Sequence, residues 1–213
     1  MAISILPLAE SNITLASCLK LIKTAFEERE KENLHYPCMD FTLEEYASEM
    51  SNHQVFVAID PDNDNPLIGV TSVVLKSENS HIYALEHHSA VRPGYKGKGI
   101  GSMLMSQLID YSRSNNCDYI LATTAKKAAG AIAFHRKNGF QIIRSASYPD
   151  TGYYSVVMRK QLKVKTKYDR KWVNPLYCKL HYLNSTIRMH MMKNADGSYS
   201  LFGKTVRKLL KRK

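Results

Sequence analysis

The 213-residue sequence predicts an α/β (α+β) fold: a mixed, mainly antiparallel central sheet with helices on both faces, followed by a basic C-terminal extension. Three observations carry this. Strand-type and helix-type periodicities alternate over the first 160 or so residues. Two pairs of strand-type segments, Gln54–Ile59 with Leu67–Leu75 and Phe140–Arg144 with Tyr154–Lys160, read as antiparallel neighbours. Charge is also unevenly placed: residues 163–213 hold 14 Lys/Arg against Asp169 and Asp196, while the preceding 162 hold 16 basic and 17 acidic residues. The chain therefore divides into a nearly neutral domain, 1–162, and a basic extension, 163–213.

Taken in order, Ile3 and Ile5 alternate with polar residues as a short first strand. Thr14 to Glu32 carries Leu15, Cys18, Leu19, Ile22 and Phe26 at helical spacing. Asp40 or Thr42 caps a second helix to Met50, with Glu45 placed for a capping box. The acidic run Asp60–Asp64 lacks the glycine and the late glutamate of a calcium loop, so it reads as a solvated hairpin turn. His81–Val91 is a central strand, Ile100–Ser112 a helix, Asp118–Thr123 a strand and Ala128–Asn138 a helix stopped by Gly139. In the extension, Ile187–Met192 and Ser198–Phe202 read as a small hairpin around Asn194-Ala-Asp-Gly197. The terminal segment Lys204–Lys213 reads as a basic helix with Val206, Leu209 and Leu210 on one stripe.

The chemistry is expected where strand gives way to helix, in Val91-Arg-Pro-Gly-Tyr-Lys-Gly-Lys-Gly-Ile-Gly-Ser102. Gly97, Gly99 and Gly101 remove side chains that would hold a ligand off the backbone and permit dihedrals that other residues avoid. The first amides of a helix have no intrahelical acceptor and lie at the positive end of its dipole, so the turn is suited to phosphate. A Walker A loop is excluded because Ile100-Gly101-Ser102 follows Gly99 where that motif needs Lys and Ser/Thr. A dinucleotide fingerprint is excluded by the spacing Gly97-x-Gly99-x-Gly101.

Lys96-Gly97-Lys98-Gly99-Ile100-Gly101 resembles the acyl-CoA-binding motif of the GNAT superfamily of N-acyltransferases, with Lys in the place usually held by Arg or Gln. Val91-x-Pro93-x-Tyr95 is similar to the segment before that motif, and Ala131-Ile-Ala-Phe-His-Arg-Lys-Asn-Gly-Phe140 to the family's second signature. The resemblance covers Ile3 to Leu162. It implies transfer of an acetyl or other short acyl group from acyl-CoA, as co-substrate, to a primary amine by direct attack in a ternary complex. It also implies that Val91, Lys96, Gly97, Lys98, Gly99, Ile100, Gly101 and Ser102 hold the CoA. Such a transfer needs a base for the amine and a proton for the leaving thiolate. Glu86 is the candidate base, by its place on the strand before the turn; the alternative is that it only pairs with a basic neighbour. His135 stands where the resemblance expects a tyrosine acid; either it keeps that role or it packs beside CoA while Tyr153, Tyr154 or water supplies the proton. Ala128 stands where the family often has an asparagine.

On a regular strand Glu86 and His88 share one face and His87 the other, but the resemblance implies a strand that is often bulged here, which would break that parity. Two adjacent histidines without a third ligand at metal spacing give no metal site, so no metal is expected. Cys18, Cys38, Cys117 and Cys178 lack any C-x-x-C spacing, which fits reduced thiols in a cytoplasmic protein. No run reaches the roughly 20 apolar residues of a membrane span. The basic tail reads as a charged, solvated end or as an element for contact with an anionic membrane surface or an acidic protein, and lacks the interleaved aromatics of sequence-specific nucleic-acid readout. The sequence leaves open the acceptor, a small-molecule amine or a peptide or protein amine, and the oligomeric state. A rival reading is a non-catalytic acyl-CoA-binding module with the tail as its interaction element.

Overall fold

The computed structural model describes residues 3–30, 33–149, 151–165, 169–201 and 203–204. Its seven strands run in the sheet order β1-β2-β3-β4-β5-β7-β6. Two compact units divide the chain, one ending at Ile120 and the other beginning at Leu121.

In the first unit, β1 (Ser4–Pro7), β2 (Gln54–Ile59), β3 (Leu67–Glu78) and β4 (His81–Val91) pair antiparallel in succession. β3 and β4 are joined by Asn79-Ser80, both at positive φ, 50° and 64°, the backbone of a tight two-residue hairpin. The helix α1 (Leu15–Glu30) buries Cys18, Leu19, Leu21, Ile22 and Ala25 in a core that includes Val55, Val57, Leu67 and Val70 of the sheet. Thr42 caps α2 (Leu43–Met50): its hydroxyl accepts from the Glu45 amide at 3.2 Å, and the Glu45 carboxylate accepts from the Thr42 amide at 2.8 Å. The expected capping box is thus formed. Gly69 lets α3 (Ile100–Ser114) approach β3 closely, since a Cβ there would lie 2.9 Å from Leu104 Cδ1.

β5 (Tyr119–Ala125) spans the boundary between units; its start is held to β4 by the Asp118 amide donating to the Ile82 carbonyl at 2.7 Å. The second unit continues with α4 (Ala129–Lys137), β6 (Gln141–Ser147), β7 (Tyr154–Gln161), α5 (Asp169–Val173) and α6 (Pro175–Met192), with β6 and β7 antiparallel. α6 packs on β6. The His181 ring donates through Nδ1 to the Ile143 carbonyl at 2.6 Å, the Ser145 amide donates to Ser185 Oγ at 3.0 Å, and Cys178 is buried with Ile143, Ala146 and Val157. Its far side leaves Leu176, Leu180, Leu183, Ile187 and Met191 exposed.

The extension departs from its expected form. Ile187–Met192 is the last part of α6, not a strand. Asn174 caps that helix, its side chain accepting from the Leu176 and Tyr177 amides at 2.9 and 3.3 Å, and Pro175 fits its first turn. Once so begun and anchored on β6, the helix carries its unbranched Met and Arg residues to Met192, overriding a short alternating pattern. The turn at Asn194–Gly197 does form, with Gly197 at φ 78°, but only an isolated bridge, Lys193 to Tyr199, joins its flanks. The expected basic helix lies almost wholly outside the described residues, and the membrane or acidic-partner contact assigned to it lies there too.

Candidate active site

The strand-to-helix turn is shaped by two left-handed glycines. Gly97 and Gly99 have φ of 80° and 86°, and no heavy atom lies within 4 Å of where a Cβ would stand on either. Their role is the backbone conformation, with the space beside them open. Gly101 differs from its expected role: it lies in the first turn of α3 with no positive φ, so only its lack of a side chain matters. Gly99 caps α3 without any side-chain bond, and the first helical bond runs from the Met103 amide to the Gly99 carbonyl at 3.0 Å. The amides of Ile100, Gly101 and Ser102 therefore precede the helical ladder, as an anion cradle requires.

The turn is braced from outside. Tyr95 donates its hydroxyl to Asp60 Oδ2 at 2.7 Å and accepts from Asn63 Nδ2 at 2.9 Å, while Arg92 donates to the Asn65 carbonyl at 2.7 Å and to that of Leu67. The acidic run Asp60–Asp64 thus steadies the glycine turn. Lys96 pairs with Glu28 of α1, and Lys98 Nζ sits 4.7 Å from the Tyr95 ring centre.

Ahead of the turn, β4 bulges. Val70 faces Ala90 and Ser72 faces His87, so Thr71 alone opposes both His88 and Ser89, and His88 takes φ 51°. The parity of a regular strand is lost. Glu86 is 8% exposed, and its Oε1 accepts from the Ser89 hydroxyl, which in turn lies 2.6 Å from Thr71 Oγ1. His87 and His88, expected on opposite faces, both reach Glu49 of α2: Oε1 is 3.6 Å from His87 Nδ1 and 3.2 Å from His88 Nε2. The third group missing from the local sequence is thus brought in from 38 residues upstream. Ser89, Glu49 and His53 escaped the sequence reading, since each acts through a partner distant in sequence or through the bulge, and Tyr95 was legible only as part of the segment before the motif, not as the partner of Asp60.

Burial pushes the His87 imidazole down to about 4, with the His88 and His53 rings adding to it and Glu49 opposing. Burial lowers His53 as well. Glu49 is held below the usual carboxylate range, first by the His88 ring facing it and then by His87 and His53, against its own burial. Between pH 6.5 and about 4 the unfolded chain binds a proton at His87 that the folded chain refuses, so stability falls as pH drops through that window. The lowered Glu49 adds a loss of the same sign at more acid pH. Urea unfolding at pH 7, 5.5 and 4.5 should show this fall. His87→Gln is expected to remove on the order of 2 kcal/mol of it; an unchanged pH slope would clear His87 of the effect.

In the second unit His135 is 7% exposed, edge-on to Phe134 and Phe140 with centroids 5.3 and 5.2 Å away. Its Nδ1 donates to the Ala131 carbonyl at 2.8 Å, which leaves the neutral ring no proton to give from Nε2. Tyr154 donates its hydroxyl to the Lys193 carbonyl at 3.2 Å, and its ring lies tilted by 41° against His190, centroids 4.4 Å apart. Cys38 is 4% exposed, and burial, with the nearby Glu49 charge, pushes its thiol up to about 12, so it carries no thiolate for acyl capture.

The site thus joins an open left-handed glycine turn at the start of α3, whose first amides are suited to an anion, to a bulged strand with a buried carboxylate in an α/β fold. The chain belongs to the acetyltransferase (GNAT) family, whose sequence profile matches residues 16–140. It is 34% identical over 70 residues to the L-methionine sulfoximine/L-methionine sulfone acetyltransferase of Salmonella typhimurium, covering 33% of this chain and 40% of that one. It is 30% identical over 105 residues to the streptothricin acetyltransferase of Streptomyces lavendulae, covering 48% of this chain and 53% of that one. The chain thus spans about half, or less, of these relatives. Among solved structures, the NatC complex bound to Gag peptide and CoA has a chain similar at a TM-score of 0.61 and 20% identity, covering 76% of this chain and all of that one. The ribosomal-protein-S18-alanine N-acetyltransferase of Escherichia coli is similar at a TM-score of 0.58 and 17% identity, covering 78% and 97%. Among the described residues, no helix is long and apolar enough to cross a membrane.

Proposed function

We propose that residues 1–162 form an N-acetyltransferase that moves an acetyl or other short acyl group from acyl-CoA to a primary amine. Membership of the GNAT family supports the reaction class, and the relatives named above, which act on amines by their names, support the acceptor class. The observation that carries the reading beyond acyl-CoA binding is Glu86, a buried carboxylate fixed by Ser89 on the bulged strand that leads into the glycine turn. A binding module makes no use of a proton acceptor ahead of the turn, whereas attack by an amine needs one.

In this proposal the amides of Ile100, Gly101 and Ser102 receive CoA phosphate, with Lys98 and Lys96 supplying positive charge and Val91 at the strand end beside them. Glu86, directly or through one water, takes a proton from the acceptor nitrogen as it attacks the thioester carbonyl carbon. The C–S bond then breaks, leaving an amide and the CoA thiolate. His135 and Tyr154 are both engaged elsewhere, by the Ala131 and Lys193 carbonyls, so we assign the thiolate's proton to water. Direct attack fits the buried, fully protonated Cys38, which offers no covalent way station.

The test is thiol release from acetyl-CoA by the purified chain across small amines, amino acids, aminoglycoside-type amines and peptide N-termini, against a blank without acceptor. Acceptor-dependent release is the expected result. Silence across that panel, with acetyl-CoA still raising the melting temperature, would return the chain to the class of acyl-CoA-binding modules.

A further inference from the structure

Glu49 on the last turn of α2 and His87 and His88 at the bulge of β4 each present a ligand atom, all within 4.8 Å of one another. Glu49 Oε1 stands 3.2 Å from His88 Nε2 and 3.6 Å from His87 Nδ1. Two ligands of a tetrahedral zinc ion, each about 2.05 Å from it, are about 3.3 Å apart, so the two Glu49–histidine spacings are close to a coordination edge. The close approach does not satisfy the groups by hydrogen bonding. His88 Nε2, Glu49 Oε2 and both ring nitrogens of His53 are buried without a hydrogen-bond partner. The His53 ring stands edge-on to His87, centroids 5.1 Å apart. Buried polar atoms left unmatched cost about 1–3 kcal/mol each, and a cluster of them on converging side chains calls for a shared partner.

A carboxylate only accepts and a neutral imidazole brings a single donor, so these groups cannot satisfy one another. One cation can take lone pairs from Glu49, His87 and His88 together. We propose that these three form a binding site for a divalent transition-metal ion of the zinc class. The donor set is the imidazole and carboxylate mixture that zinc accepts, and three protein ligands leave a position open for water. The bulge builds the site. On a regular strand His87 and His88 would point apart; the extra residue turns both toward α2.

The full chain, stripped with chelator, is titrated with zinc chloride in competition with a chromophoric zinc chelator, and its melting temperature is read with and without the ion. One ion per chain at micromolar or tighter affinity, with a rise in melting temperature, is expected. Glu49→Gln, which keeps the side chain's size, and His88→Ala should each weaken binding at least tenfold and abolish the rise. His35→Ala, which removes an exposed histidine paired with Asp40, should change neither. Cobalt(II) absorption in the visible gives a second reading: tetrahedral bands in the wild type, absent in Glu49→Gln. Absence of zinc binding at micromolar concentrations, or equal binding in both variants, would overturn the site. If His88→Ala does not fold by circular dichroism, Glu49→Gln alone decides.

Discussion

Gly99→Val is expected to abolish binding of acetyl-CoA, measured as loss of ligand-dependent stabilisation. Two effects act together. At φ 86° a β-branched side chain is strained by roughly 1–2 kcal/mol. Its methyls would also fill the open space beside Gly99, in the turn where phosphate is proposed to lie. Gly94 separates the two. It has φ 85° and an equally open Cβ position but lies outside the cradle, so Gly94→Val should carry the strain and keep most of the affinity. Loss of affinity in both variants would reduce the effect to strain, and retention in Gly99→Val would remove the turn from the CoA site.

Glu86→Gln is expected to lower kcat for amine acetylation by about 10²–10³-fold, equivalent to about 3–4 kcal/mol of barrier, with CoA affinity within twofold of wild type. Glutamine keeps the size and can still accept the Ser89 hydroxyl, so the buried chain Thr71–Ser89–Glu86 survives while the base is lost. The variant's rate should climb with pH, since a higher fraction of free acceptor amine relieves the need for a base. A rate within twofold of wild type at neutral pH would take Glu86 out of the mechanism. In that event Ser89 and Thr71 would be read as packing partners of a buried acid without catalytic duty.

The order and kind of most elements were legible because they rest on local signals: helical spacing in α1 and α3, a Thr42/Glu45 capping box, and a glycine run between strand and helix. The extension shows where such signals fail. Residues 187–192 alternate over a short window, yet the cap at Asn174-Pro175 and the anchoring of His181 and Ser185 on β6 extend one helix through them. A six-residue pattern is too short to outweigh a helix already nucleated and packed.

By itself the sequence determined the glycine cradle, the family to which it belongs and the carboxylate ahead of it, because each is carried by residue types at fixed local spacing. Tertiary structure decided what those residues do together. A one-residue bulge, which the family resemblance allowed but whose register and partners no local pattern shows, sets Ser89 on Glu86 and turns His87 and His88 onto a glutamate 38 residues upstream. It also gave the acidic run at Asp60 its partner in Tyr95, set His135 on the Ala131 carbonyl, and buried Cys38 so that its thiol is pushed up to about 12. The physical reason is common to all of these: register, burial and long-range pairing depend on which surfaces the fold brings together, and no local window of sequence contains both surfaces.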